Sequence, residues 1–348
     1  MAADYQLKQQ KFKLMKIKLI TCLLICISSI QGYSQTWDVL YLNGVQKLSA
    51  KKYKEAIADF TKAISIHPVP VIYESRAKAY ELIGKIKEAI ADYDTAITMD
   101  SVNWKTYCDR SILKIEVKDD SGALIDANRA IDISYKRPVP YSTRGRVYLA
   151  TGAYNNALAD FSKSVTLDSN YLIGYLYRAM TLRHLNKLSE ALTDCDLLIQ
   201  KGYEISNVYF VLGLLKSYSE DPEGALAAYQ KADQIESGNP ITINNIGWTF
   251  LDLNKPDSAL KYFNKCLKLN SKHLDAIVGK GFTFYLKGNL ESAWLYMDRI
   301  KNINAKITSS NDPVALLEGL GYFYQEKEKT NMNRMFSQYR ALPKRQSK

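Results

Sequence analysis

Proline, glycine and histidine are scarce in this chain of 348 residues. Its 9 prolines and 17 glycines are too few for a collagen-like or low-complexity architecture. It has only 3 histidines, and His67, His184 and His273 lack metal-ligand spacing to cysteine, aspartate or glutamate. The sequence contains no P-loop, no GxGxxG after a strand and no GxSxG nucleophile motif. We therefore expect no metal, no cofactor and no catalytic residues, and we predict that the protein is not an enzyme.

Cysteine is also sparse, with 5 copies, and their placement argues against a disulfide framework. Cys22 and Cys26 belong to an apolar run near the N-terminus. That leaves Cys108, Cys195 and Cys266, an odd number without a CxxC pair. We expect these three to be small core residues, so that packing alone stabilises the folded chain.

The N-terminal apolar run covers residues 19–30. Five lysines and one acid, Asp4, precede it, and small residues follow, which predicts a signal peptide over residues 1–34, cleaved after Ser34. This run is shorter than the about 20 apolar residues that a permanent membrane helix needs. An uncleaved membrane anchor is therefore kept as the alternative interpretation. The prediction is an exported protein, periplasmic or secreted, in a bacterium.

A second methionine, Met15, is a more compact start for this signal. Residues 1–14 would then be an N-terminal extension that depends on the choice of start codon.

The formal net charge of +11 is concentrated at the two ends of the chain. Residues 1–34 carry five lysines against one acid, and residues 331–348 carry five basic residues without an acid. Residues 35–330 therefore have a net charge of only +2. No basic stripe spans the main part of the chain, so we expect no nucleic-acid partner.

The rest of the chain repeats itself. An alanine recurs after 33 residues and then at intervals of 34, at Ala56, Ala89, Ala123, Ala157, Ala191, Ala225, Ala259 and Ala293. Twelve residues before each of them lies Gly, Ala or Ser, and in most repeats a bulky residue follows four positions later. Between these positions, several turns are occupied by glycine or asparagine, as at helix C-termini, namely Gly84, Gly152, Gly288, Asn186 and Asn254. Each unit therefore predicts two antiparallel helices in close contact.

This pattern resembles the tetratricopeptide repeat, most completely from Tyr141 through Gly145, Tyr148 and Ala157 to Phe161. Eight repeats fit, at 37–69, 70–103, 104–137, 138–171, 172–205, 206–239, 240–273 and 274–307. The resemblance implies an all-α, right-handed superhelical solenoid of antiparallel helix pairs.

Residues 308–348 leave this register, and we interpret them as a divergent helical cap followed by a basic tail. Met332, Met335, Phe336 and Tyr339 follow helical spacing. A hairpin over 312–341 would cover the apolar end of the last repeat, as solenoids require. The alternative is that this stripe binds a peptide.

Acidic and basic residues recur together in the first five repeats. Arg76, Arg110, Arg144 and Arg178 share one site, and Asp59, Asp92, Asp126, Asp160 and Asp194 share another. Repeats six to eight lose both types, which predicts a structural ion-pair ladder. The sequence does not decide whether the pairs form within or between repeats. Acids placed one per repeat do not converge on a substrate, so general acid–base catalysis is disfavoured.

The resemblance also implies that the first helices of the repeats line a concave groove. The matching positions of repeats five to eight are Leu176, Tyr177, Met180, Phe210, Val211, Leu214, Asn244, Asn245, Trp248, Phe282 and Tyr285. Aromatic and amide groups together suit apolar side chains and peptide backbone. Some of these residues could instead pack against the opposite helix. In repeats two to four the same face is polar.

We therefore predict a scaffold or assembly factor that binds a protein or peptide partner in the cell envelope, with no membrane span in the mature chain. A carrier or sensor for a ligand such as glycan, using the same groove, is the alternative. The sequence leaves the oligomeric state open.

Overall fold

The computed structural model describes residues 36–319 and 326–341, and all regular structure within them is α-helical. The helices are α1 (Trp37–Ser49), α2 (Tyr53–Ile66), α3 (Pro70–Leu82), α4 (Ile86–Met99), α5 (Trp104–Glu116), α6 (Asp120–Ile133), α7 (Pro138–Ala150), α8 (Tyr154–Leu167), α9 (Leu172–His184), α10 (Leu188–Gln200), α11 (Ser206–Tyr218), α12 (Pro222–Ile235), α13 (Pro240–Asp252), α14 (Pro256–Leu269), α15 (Leu274–Leu286), α16 (Leu290–Ile303), α17 (Ala305–Ser309), α18 (Pro313–Gly319) and α19 (Glu326–Arg340). The predicted signal peptide lies outside the described residues.

Helices α1 to α16 form consecutive pairs, so the predicted all-α repeat fold is confirmed for the described residues. The chain divides between Tyr171 and Leu172 into two compact units. The first unit contains α1–α8, and the second contains α9–α19.

The turn inside each pair depends on a residue in the left-handed conformation. Gly84 and Gly152 have φ angles of 75° and 76°, and Asn186 and Asn254 have 57° and 56°. Glycine adopts this conformation without a steric penalty, and asparagine tolerates it better than most residues. The prediction that these residues end the first helices is confirmed.

The two helices of a pair pack closely because small residues face large ones. All eight recurring alanines are completely buried. A Cβ atom added to Gly145 would lie 2.8 Å from the Phe161 ring, and one added to Gly247 would lie 2.7 Å from the Phe263 ring. The first helix therefore has room for the ring only where its own side chain is absent or very small.

The C-terminal helices extend the core of the second unit. Val314 and Leu317 of α18 share one buried cluster with Met332, Met335 and Phe336 of α19. Trp294 and Ile300 of α16 belong to the same cluster. Met332, Met335 and Phe336 of the methionine–aromatic stripe are therefore buried in this core.

Cys108, Cys195 and Cys266 are free and buried, as expected for core residues. Burial raises the pKa of each thiol to about 12. Among the described residues, no helix has the length and apolar character needed to cross a membrane.

Candidate partner-binding groove

The candidate groove lies on the first helices of the second unit, α9, α11, α13 and α15. Helices α11, α13 and α15 each contact the second helix of their own pair and that of the preceding pair. Neighbouring first helices also touch, as α9 touches α11 and α13 touches α15. We call the remaining side of these four helices the groove face.

Six of the eleven predicted groove residues are partly exposed. They are Tyr177, Met180, Phe210, Leu214, Asn245 and Tyr285. Tyr177 and Met180 are one helical turn apart on α9, and Phe210 and Leu214 are one turn apart on α11. Partly exposed apolar and aromatic side chains of this kind can bury a partner's apolar side chains without first opening the core.

The other five predicted residues are buried, namely Leu176, Val211, Asn244, Trp248 and Phe282. The alternative of packing against neighbouring helices therefore applies to these five. In the described arrangement a partner would not contact them directly.

Trp248 is held from several sides. Its ring packs edge-on against Phe263 and stacks on Phe282, with ring centroids 5.6 and 6.1 Å away. Its indole Nε1 donates a hydrogen bond to Oδ2 of Asp275, at 3.0 Å. Replacing it with alanine would leave a cavity and remove a donor from a buried carboxylate. Trp248 is thus unsuitable for testing partner binding alone.

Asp275, a buried carboxylate in the first turn of α15, was not singled out from the sequence. It accepts hydrogen bonds from Asn244 Nδ2, at 2.6 Å, and from Trp248. The N-terminal end of a helix stabilises negative charge. In the sequence, this acid departs from the repeat pattern, because the equivalent positions of the two preceding repeats hold Asn207 and Ile241.

Asn244 joins the same network through its amide nitrogen only. Its Oδ1 atom is buried and has no hydrogen-bond partner among the described residues. A buried amide oxygen without a donor costs free energy.

In the first unit the corresponding face is polar, as the sequence indicates. Glu74 accepts hydrogen bonds from Asn103, at 2.9 Å, and from Thr106. Lys78 pairs with Glu81 at 2.8 Å. These contacts satisfy many of the hydrogen-bonding groups on this face.

Asp109 lies on the same polar face. Its side chain keeps contact with solvent, yet the protein atoms around it desolvate the carboxylate and raise its pKa to about 6. Lys78 opposes this shift, and Glu81 and Glu74 add to it.

The predicted ion-pair ladder is present, and its pairs form within repeats. Each ladder arginine donates two hydrogen bonds of 2.5–2.8 Å to the aspartate 16 residues further on. These arginines are Arg76, Arg110, Arg144 and Arg178. The remaining acid, Asp59, pairs with Lys47 at 2.6 Å. The ladder therefore engages the acids in structural ion pairs.

The recurring tyrosines contribute to the ladder. The guanidinium carbons lie 5.1–6.0 Å from the ring centroids of the tyrosines three residues earlier, namely Tyr73, Tyr107, Tyr141 and Tyr175. This geometry is a cation–π contact and fixes each guanidinium against its own helix.

Comparison with known proteins agrees with the repeat fold. A family model described as tetratricopeptide repeat matches residues 71–103, 140–171 and 242–273. Human tetratricopeptide repeat protein 6 is 27% identical over 140 residues, which cover 40% of this chain and 26% of that protein. Human serine/threonine-protein phosphatase 5 is 31% identical over 85 residues, which cover 24% of this chain and 17% of the phosphatase. The matches thus span only about a quarter or less of these relatives.

Solved structures share the fold. A tetratricopeptide repeat protein from Parabacteroides merdae superposes with a TM-score of 0.56 at 20% identity, covering 62% of this chain and 84% of that one. The APC/C hetero-tetramer Cut9–Hcn1 gives a TM-score of 0.63 at 14% identity, covering 88% of this chain and 57% of that one. With the helix pairs and the matched segments, these findings show that the chain contains tetratricopeptide repeats and shares the fold of tetratricopeptide repeat proteins.

Proposed function

We propose that this protein is a non-enzymatic scaffold or assembly factor that binds a peptide or helix of a protein partner on the groove face of its second unit. Tetratricopeptide repeat scaffolds mediate protein–protein interaction, and the curated relatives share this repeat. The proposal includes export to the cell envelope, as the N-terminal sequence predicts.

The observation that carries the proposal is the row of six partly exposed groove residues. Tyr177, Met180, Phe210 and Leu214 expose apolar surface on two adjacent helices, and Asn245 adds an amide beside them. An apolar side chain of a partner gains free energy by leaving water there, while the Asn245 amide can satisfy a backbone group. The buried residues beneath keep this row rigid, which lowers the entropic cost of binding.

The test is a double substitution, Tyr177→Ala with Leu214→Ala. We expect it to weaken partner capture from an envelope extract at least about tenfold, because two central apolar contacts are lost. Far-UV circular dichroism should stay at the wild-type level, since neither side chain is fully buried.

Leu295→Ala is the matched control, because Leu295 is 67% exposed on α16, a second helix. A photo-crosslinking residue at position 210 should capture the same partner, and one at position 295 should not. Equal capture by the double variant and the control would rule out this groove.

A further inference from the structure

The groove face changes from open to covered along the second unit. Positions that correspond at intervals of 34 residues show this directly. Ile241 of α13 is 55% exposed, whereas its counterpart Asp275 of α15 is 5% exposed. Likewise Leu214 of α11 is partly exposed, Trp248 of α13 is 9% exposed and Phe282 of α15 is 1% exposed.

Contacts within the repeat array explain only part of this difference, since Asp275 accepts hydrogen bonds from Asn244 and Trp248 of α13. Helices α13 and α15 have the same kinds of neighbours within the array, because each contacts its own second helix and the preceding one. The additional contact described for α15 is α19, which also touches α16, α17 and α18. Met332, Met335 and Phe336 of α19 lie in one apolar cluster with Phe282 and Ile277 of α15.

The C-terminal helices also come within electrostatic reach of α11. Glu318 of α18 and Lys329 of α19 form an ion pair of 2.9 Å. Burial raises the pKa of Tyr218 in α11, and among smaller influences Glu318 raises it and Lys329 lowers it. Charges on α18 and α19 thus act on a first helix two repeats before the last one.

We propose that α18 and α19 are an intramolecular occupant of the groove face over repeat eight. This inference rests on the proposed function and extends it to regulation. The partner that fits the covered part is an amphipathic helix with a methionine–aromatic stripe like that of α19. It must displace α19 to reach Phe282, on which Trp248 stacks.

The ion pair offers a test in the full chain. Lys329→Glu places two acids together and weakens the closure, whereas Glu318→Lys combined with Lys329→Glu restores an opposite-charge pair. Hydroxyl-radical footprinting read by mass spectrometry should show about threefold more labelling of Trp248 and Phe282 in the single variant, since partly exposed pairs of this kind shift equilibria by small factors. Labelling in the double variant should return to the wild-type level.

Lys301→Glu is the control, because it makes the same charge change at an exposed position of α16. Unchanged labelling of Trp248 and Phe282 in Lys329→Glu would overturn the proposal. A rise that the charge swap does not reverse, or that Lys301→Glu reproduces, would overturn it as well.

A synthetic peptide of residues 312–341 probes the covered surface in trans. It should bind the Lys329→Glu chain about fivefold more tightly than the wild-type chain, where the covalently linked helix competes. Equal affinity for the two chains would exclude intramolecular competition. The two proposals can fail separately. Partner capture is tested through Tyr177 and Leu214 on α9 and α11, and it can be absent while the added peptide still competes with α19.

Discussion

Asp126 illustrates what single residues contribute to this protein. Its carboxylate is 1% exposed, and it accepts a bidentate pair from Arg110 and a further contact from Lys114, at 2.9 Å. Arg110 also bonds Asp94 of the preceding repeat, a residue that remains exposed. The same guanidinium therefore holds one carboxylate inside the array and one at its surface.

Asp126→Asn should destabilise the first unit by about 3 kcal/mol, because it leaves the Arg110 and Lys114 charges without their buried counter-ion. Urea unfolding followed by circular dichroism measures this loss. Asp94→Asn is the matched control and should cost less than about 1 kcal/mol, since its carboxylate is solvated. Equal effects of the two substitutions would contradict a structural role for the buried pair.

At the scale of the helix pair, the spacing between the two helices is set by the small residue that faces an aromatic ring. Gly145 faces Phe161, whereas Ala179 occupies the equivalent position in repeat five, where the residue opposite is Cys195. The chain thus contains both a glycine–ring pair and a pair of smaller residues. Glycine with a large ring and alanine with cysteine thus each fill the space between the two helices of a pair.

Gly145→Ala should cost about 1–3 kcal/mol, since the new methyl group overlaps the buried Phe161 ring. Phe161→Cys alone should cost a similar amount or more through the cavity that it leaves. The double variant should be more stable than the sum of the two losses predicts, by about 0.5 kcal/mol or more. Strict additivity in thermal unfolding would show that the two sites do not meet.

At the scale of the whole molecule, the charged ladder residues and the apolar groove residues are concentrated in different repeats. The arginine–aspartate pairs occur in repeats two to five, and the apolar groove residues lie in repeats five to eight. Repeat proteins transmit stability mainly between neighbours, because each repeat packs only on the adjoining ones.

The substitution Asp126→Asn should therefore change the rate of hydrogen exchange only in the repeats near residue 126. We expect faster amide exchange in α5–α8 and wild-type exchange in α13–α16, measured by mass spectrometry on the full chain. Uniform acceleration in both units would mean that the array unfolds as a single cooperative body.

The sequence by itself determined the repeat register, the helix pairs and the residues that end the first helices. These features depend on local properties, namely small side chains at fixed spacing and the left-handed conformation of Gly84 or Asn186. It also predicted that arginine and aspartate pair, because both are lost from the same repeats.

Only the tertiary structure decided which partners meet and which groove residues stay accessible. Asp275 reaches Trp248 across 27 residues, and this contact depends on the register between adjacent repeats. Periodicity assigns Trp248 and Tyr177 to the same face, yet one is buried and the other partly exposed. Burial on that face depends on neighbours distant in the chain, including α19, whose packing follows no repeat spacing.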